Sequence, residues 1–466
     1  MTEQISTAAK PTAAAPPRTG IVRIAMASGV GTSLEFYDFA IYGTATTLVL
    51  TDTFFQTGDA WFGTFLGLAT FAIGFLMAPL GAAGFGWLGD RYGRRFALLL
   101  TFIGMGAATV LMGLLPTYAQ IGVTAPLLLV VLRMAHGLFR GGETGGAAAL
   151  AIEHAPDQKR ARYGVFVALG SPVGNILANL AFTAVLFLPD SSVESWGWRL
   201  PFLAGGIAIV IGIWIRRGVA ESPVFQQMVR EEGETLRNRR PVADVFRSNW
   251  RRVLLAAGVN IGLNSCTFAL ATFMMSYATS AAPDGLGLPR QDVVNASTLG
   301  LVVHAAANVL GAWASDRFGR RPVMSAGALA SLVAVLVVFP LAGTGSMGAL
   351  TAALALGFAT TGILFGPMYT FFTELFPRDQ RQSGMGIAFH LGAVLGGGIS
   401  PLIANRIVAA TGNAVNVGYY LAGTCVLSLA CLMALPETAP RALRRLEQKR
   451  TVTAPRNEST ETAELR

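Results

Sequence analysis

The sequence predicts an all-α membrane protein of twelve transmembrane helices in two pseudo-symmetric six-helix bundles. Three observations carry that reading. The 466 residues are 53% hydrophobic and only 13% charged, about half the charge of an ordinary soluble domain. Apolar runs of about 20 residues, the length that crosses a hydrocarbon core, recur along the chain. The two halves of the chain also repeat one another.

The apolar runs fall near 22–48, 61–86, 96–115, 126–152, 163–187, 200–216, 252–278, 293–314, 322–341, 347–373, 384–409 and 417–435. Residues 1–20 are rich in Ala, Pro and Thr, lack an apolar core, and read as a disordered tail. An N-terminal bundle is expected over 21–216, a linker rich in Arg and Glu over 217–251, a C-terminal bundle over 252–436 and a second tail over 437–466. Arg and Lys fix the orientation. One set of loops holds Arg91, Arg94 and Arg95, then Lys159, Arg160 and Arg162, then the linker, then Arg317, Arg320 and Arg321, then Arg378 and Arg381. The opposite loops hold little beyond Arg199, Arg290 and Arg406. Both termini are therefore expected in the cytoplasm of a cell (inner) membrane protein.

This distribution also answers the net charge of +9. The basic residues lie in short clusters between spans, and no stretch is long enough to build a nucleic-acid surface. Cys266, Cys425 and Cys431 lie in apolar runs without metal spacing and read as core residues, so no metal or other cofactor is expected. There is no Gly-x-x-x-x-Gly-Lys phosphate loop and no HExxH, which leaves an enzyme reading without support.

The repeat rests on two pairs of motifs. Gly86-Trp-Leu-Gly-Asp90-Arg91-Tyr-Gly93-Arg94-Arg95 follows the second span, and Ala312-Trp-Ala-Ser-Asp316-Arg317-Phe-Gly319-Arg320-Arg321 follows the eighth. Glu153-x-x-Pro156-x-x-x-Arg160 closes the fourth span, and Glu374-x-x-Pro377-x-x-x-Arg381 closes the tenth. The offsets, 226 residues from Asp90 to Asp316 and 221 from Glu153 to Glu374, nearly agree. Duplicated six-helix halves with a binding site between them build many secondary transporters.

With these motifs the sequence resembles the major facilitator superfamily. Within it, the chain is similar to the metabolite:proton symporters, which carry shikimate, α-ketoglutarate, citrate or proline/betaine. The resemblance covers roughly residues 20–440. It adds Glu35-Phe-Tyr-Asp38-Phe, Gly141-Gly142-Glu143, Trp196-Gly-Trp198-Arg199-Leu-Pro201-Phe, Glu221-Ser-Pro223-Val-Phe225 and Ser383-Gly384 to the loop motifs. It implies a monomeric, proton-coupled carrier of a small polar metabolite, working by alternating access. The chain departs from the family at His136 and Arg140, where members often carry Gln and a small apolar residue. Two further basic groups would then line the cavity.

Glu35, Asp38, Arg133, Arg140 and Glu143 fall inside apolar spans. At about 3 kcal/mol each, five lipid-facing charges would cost about 15 kcal/mol, so they are expected to face inward. Arg133, His136, Arg140 and Glu143 are spaced 3, 4 and 3 apart, one face of one helix. A rise of 1.5 Å per residue places Asp38 and Arg133 at similar heights, about 21 to 22 Å from the inner face. Asp38–Arg133 is thus the preferred ion pair, with Glu35–Arg133 open, one helical turn away. A carboxylate beside Arg⁺ holds its charge. If the Arg turns to a solute, the desolvated carboxylate takes up a proton.

Asp38, then Glu35, with Arg133 are therefore the expected proton-coupling group. Arg140 is the first candidate for a solute carboxylate, because its planar fork matches one; pairing with Glu143 is the plainer alternative. Arg133, His136, Asn175, Asn264, His304 and Tyr369 complete the expected binding set, each with a packing role as its alternative. Asp90, Arg91, Arg94, Arg95, Glu153 and Arg160, with Asp316, Arg317, Arg320, Arg321, Glu374 and Arg381, form an expected gating network. The charged spans favour an organic anion over a zwitterion such as proline or betaine, and over the lipophilic solutes of an exporter. The short tails disfavour a membrane sensor.

Overall fold

The computed structural model describes residues 18–56, 60–217, 221, 223–232, 241–281 and 285–443. Most of both expected tails, and residues 218–220, 222 and 233–240 of the expected linker, lie outside that set.

Among the described residues the helices run in the expected order. The first is Arg18–Ala45, the second Ala60–Tyr92, the third Arg94–Gly113, the fourth Thr124–Glu153. The fifth runs through Arg160–Ala168 and Gly170–Val185, and the sixth is Arg199–Arg217. The seventh, Pro241–Phe268, continues through a π-helical turn, Ala269–Phe273, into Met274–Thr279. The eighth is Arg290–Phe318, the ninth Arg320–Ala342 and the tenth Met347–Glu374. The eleventh is Arg381–Ala393, a π-helical turn at Val394–Gly398 and Ser400–Thr411; the twelfth is Val415–Ala434. The seventh helix starts eleven residues before the expected span, and the linker carries a helix of its own, Pro223–Glu232.

Ten of these helices are long and apolar enough to cross a membrane. The first and fourth are not among the ten. They are the two that carry Glu35, Asp38, Arg133, Arg140 and Glu143, and each such charge subtracts heavily from a span's apolar average. Leu76, Leu80, Leu127, Val131, Val302 and Leu310 are exposed on the outer face, as side chains in contact with lipid must be.

The packing repeats as the sequence does. The second helix packs on the fourth, and the eighth on the tenth. Both seams are glycine seams. A Cβ on Gly137 would run into the carbonyl of Gly74, and one on Gly366 into the carbonyl of Asn308. Helices approach this closely in a membrane only where side chains are absent. Between the halves, the fifth helix packs on the eighth and tenth, while the eleventh packs on the second and fourth. The two loop motifs make the same turn. Gly93 and Gly319 have φ of 110° and 112°, a region glycine alone enters without strain.

Candidate functional site

The first and fourth helices bring the charges together in the N-terminal half. Glu35 accepts from Arg140 Nε at 3.0 Å and from the Thr144 hydroxyl at 3.1 Å. Both charged residues of this pair are fully buried. The Arg140 guanidinium also lies 4.2 Å from the ring centre of Phe39 and 5.2 Å from that of Phe75.

Arg133 sits in an aromatic box, 3.9 Å from the ring centre of Tyr42 and 5.0 Å from that of Phe39. Its Nη2 donates to the Phe71 carbonyl at 3.4 Å, while Nε and Nη1 have no hydrogen-bond partner. Gly74 makes the room, since a Cβ there would stand 2.6 Å from Nη2. His136, between the two arginines on the same helix face, has both ring nitrogens without partners. Asp38 is 1% exposed and its Oδ2 has no partner. It faces the third and sixth helices beside Thr109 and Gly205.

The expected Asp38–Arg133 ion pair is therefore corrected: the pair is Glu35–Arg140. Three residues of α-helix turn a side chain by about 60° about the helix axis. That is enough to send Glu35 to the fourth helix and Asp38 away from it. Height along the membrane normal, the quantity the sequence supplies, carries no information on that rotation.

From the other half, Tyr369 and His390 approach Arg140. Tyr369 stacks on Phe389 at 5.6 Å and its hydroxyl lacks a partner, while His390 lies against the Gly141 backbone of the fourth helix. Asn264 donates to the carbonyl and the side chain of Asn260, at 3.0 and 2.7 Å. His304 meets the Phe358 carbonyl at 3.0 Å and Thr361 at 3.3 Å. Both sit in contacts internal to the C-terminal half. Asn175 donates to the Ser171 carbonyl and also faces the cavity between the halves.

That cavity is a narrow cleft with room for little more than water, about 20 Å³. Its polar wall is Thr44, Asn175, Asn179, Thr272 and Ser297, and its aromatic wall Phe36, Phe39, Phe71 and Phe268. Phe39, Phe71, Phe75 and Phe268 pack together at 4.6 to 6.2 Å between ring centres. This cluster separates the cavity from Glu35 and Arg140. The cavity lies toward the end of the molecule away from the loop motifs, and residues of both halves line it.

The motif end is closed by two like networks. Asp90, Arg94 and Glu153 form one, joined to Arg381 of the other half at 3.7 Å. Asp316, Arg320 and Glu374 form the second, at 2.7 and 3.3 Å, joined to Arg160 at 3.7 Å. Each aspartate also holds the start of a helix in the opposite half. Asp90 accepts from the Ser383 hydroxyl at 2.6 Å and its N–H at 3.4 Å. Asp316 accepts the N–H groups of Ala161 and Arg162 at 3.2 and 3.1 Å.

Arg91 and Arg317 stand apart from these networks in position, stacked over Trp87 and Tyr92 and over Trp313 and Phe318. Arg95 and Arg321 enter through their backbone. Glu221 accepts from the N–H groups of Arg94 and Arg95, and Glu437 from those of Arg320 and Arg321. Glu437 was not anticipated, yet its signal was present: Glu221-Ser-Pro and Glu437-Thr-Ala-Pro follow the last span of each half.

Residues 24–247 match the family described as "Sugar (and other) transporter", and residues 261–462 match the Major Facilitator Superfamily. The inner membrane metabolite transport protein YhjE of Escherichia coli is 37% identical over 425 residues, covering 90% of this chain and 95% of that protein. The chain belongs to the major facilitator superfamily.

The Escherichia coli shikimate transporter is 34% identical over 87% of this chain and 92% of its own length. A proline/betaine transporter of the same organism is 32% identical over 90% and 84%. A superfamily proton:xylose symporter, XylE, has the same fold, with a TM-score of 0.74 at 18% identity over 91% of this chain and 99% of that one. The family and fold read from the motifs are thus borne out. The chain is an integral membrane transporter of the superfamily's metabolite carriers, not an enzyme.

Proposed function

We propose that this chain is a proton-coupled symporter of a small organic anion, a mono- or dicarboxylate, working by alternating access. One observation carries the reading. Arg133 is a fully buried guanidinium with two nitrogens unbonded and aromatic rings in place of a carboxylate, beside a cavity shared by both halves. A buried charge left in that state is costly, and a solute carboxylate would relieve it with a two-pronged hydrogen bond.

On this reading the motif end is cytoplasmic, the cavity opens outward, and the halves at 21–216 and 252–436 rock as units of a functional monomer. Entry of the solute past Phe39 and Phe71 reaches Arg133. Arg140 then exchanges Glu35 for the solute, and the freed carboxylate needs a proton to remain in a dry interior. Asp38, without a cation partner beside its Oδ2, is the first proton site and Glu35 the second. Rocking breaks the Asp90–Ser383 and Asp316–Ala161 contacts and opens the cytoplasmic end.

The kinship with a proline/betaine transporter makes a zwitterion the second reading. The aromatic wall weighs against it. Phe39 already faces two guanidiniums, so a quaternary ammonium at that ring would meet like charge instead of an open π face.

Thermal melting with candidate solutes tests this. A bound solute at 100 times its Kd stabilises by about 2.7 kcal/mol. Carboxylates are expected to raise the melting temperature of wild type and not of Arg133→Gln. A shift by betaine and none by any carboxylate would overturn the reading.

A further inference from the structure

The four phenylalanine rings between the cleft and the buried charges do not come from one half. Phe39, Phe71 and Phe75 belong to the first and second helices, while Phe268 belongs to the seventh, in the opposite half. The Phe268 ring centre lies 5.1 Å from that of Phe75, 6.1 Å from that of Phe39 and 6.2 Å from that of Phe71, edge to face in each case. That arrangement is the favoured one for aromatic pairs. The guanidiniums lean on the same three rings. Arg133 stands 5.0 and 5.8 Å from the centres of Phe39 and Phe71, and Arg140 4.2 and 5.2 Å from those of Phe39 and Phe75. Phe268 lines the cleft with Phe39 and Phe71, and neither arginine reaches its wall.

The backbone beside Phe268 can bend. Phe268 is the last residue of the helix Pro241–Phe268, and the π-helical turn Ala269–Phe273 follows at once. An extra residue in a turn interrupts the regular hydrogen-bond ladder, and helices kink at such places. Ala271 and Thr272 of that turn also line the cleft. The π-helical turn of the eleventh helix meets the same rings. A Cβ on Gly397 would stand 2.7 Å from Phe75 and 3.0 Å from Phe268, and one on Gly398 3.0 Å from Phe75. Bare backbone there gives the rings a flat wall to slide along.

We propose that Phe268 is the gate residue over the charged centre. It seals Arg133 and Arg140 from the cleft, and it withdraws as the seventh helix bends at Ala269–Phe273. The gate and the charges it covers belong to opposite halves, so movement of one half against the other uncovers them. The inference takes the cleft as the way in, as above, but needs no particular solute. Its test can therefore fail without the carboxylate reading failing.

The test uses the full chain carrying Cys266→Ser, Cys425→Ser and Cys431→Ser, with one reporter thiol introduced by His136→Cys. His136 is fully buried behind Phe39, 6.4 Å between ring centres. Thr144→Cys, a near-isosteric change beside Glu35, is the second reporter. A membrane-impermeant methanethiosulfonate is applied to right-side-out and to everted membrane vesicles. Each aromatic pair is worth about five-fold in an equilibrium, so losing three by Phe268→Ala should raise the labelling rate about a hundred-fold, from one side of the membrane only. Phe358→Ala is the control for a merely structural role. That ring is equally deep and packs on His304 inside the C-terminal half, and its loss should leave labelling slow. Unchanged labelling of both reporters in Phe268→Ala, an equal rise from both sides, or an equal rise in Phe358→Ala would each overturn the proposal.

Discussion

Arg140 Nε lies 3.0 Å from Glu35 Oε1, and this fully buried bond joins the first and fourth helices. Breaking a buried pair by removing one partner costs about 3 to 5 kcal/mol, because the other charge is left uncompensated. Arg140→Gln and Glu35→Gln should each lower the melting temperature in detergent, and the double variant should recover most of the loss without recovering transport. Single variants as stable as wild type would show that the pair is not held as described.

Asp38 is expected to behave differently. Asp38→Asn removes a protonatable group that pairs with no cation at its Oδ2, so the fold should tolerate it. Uptake driven by a proton gradient should stop, while exchange of labelled for unlabelled solute continues. Full accumulation by Asp38→Asn moves the proton site to Glu35.

The two loop aspartates should control the closed end. Each caps a helix of the opposite half, and a lost cap is worth about 1 kcal/mol, or about five-fold in an equilibrium. Asp90→Asn and Asp316→Asn should both raise labelling of cysteines introduced at the motif end by roughly that factor. Ser383→Ala should act in the same direction as Asp90→Asn and add little to it. Unchanged labelling in both aspartate variants would rule out the latch.

Gly74 and Gly137 separate aim from packing. A Cβ at position 74 meets the guanidinium of Arg133, whereas one at position 137 meets the backbone carbonyl of Gly74. Gly74→Ala should therefore weaken solute binding with little loss of stability, by turning Arg133 aside. Gly137→Ala should force the second and fourth helices apart and lower the melting temperature and yield of folded protein. The reverse order of effects would contradict the geometry.

What the sequence made legible followed from periodicity. The paired motifs placed Asp90 with Asp316 and Glu153 with Glu374, and both networks formed as that repeat implies. The spacing of Arg133, His136, Arg140 and Glu143 gave one inward face, and all four are buried. The partner of each arginine was not legible, because pairing depends on how the first helix is rotated against the fourth. The aromatic wall was silent for another reason: Phe39 and Phe268 lie in apolar spans, where a phenylalanine reads as ordinary core. Asn264 and His304 were indistinguishable in sequence from Asn175, yet of the three only Asn175 lines the cavity.

Arg133 is expected to receive a solute carboxylate whose movement is driven by protons. Uptake of labelled carboxylates and betaine into vesicles holding wild type or Arg133→Gln, under an imposed inward proton gradient, tests it most directly. The expected result is accumulation of a carboxylate by wild type, collapse of that accumulation on adding a protonophore, and none with Arg133→Gln. Accumulation of betaine alone, carboxylate uptake indifferent to the gradient, or full activity in Arg133→Gln would contradict it.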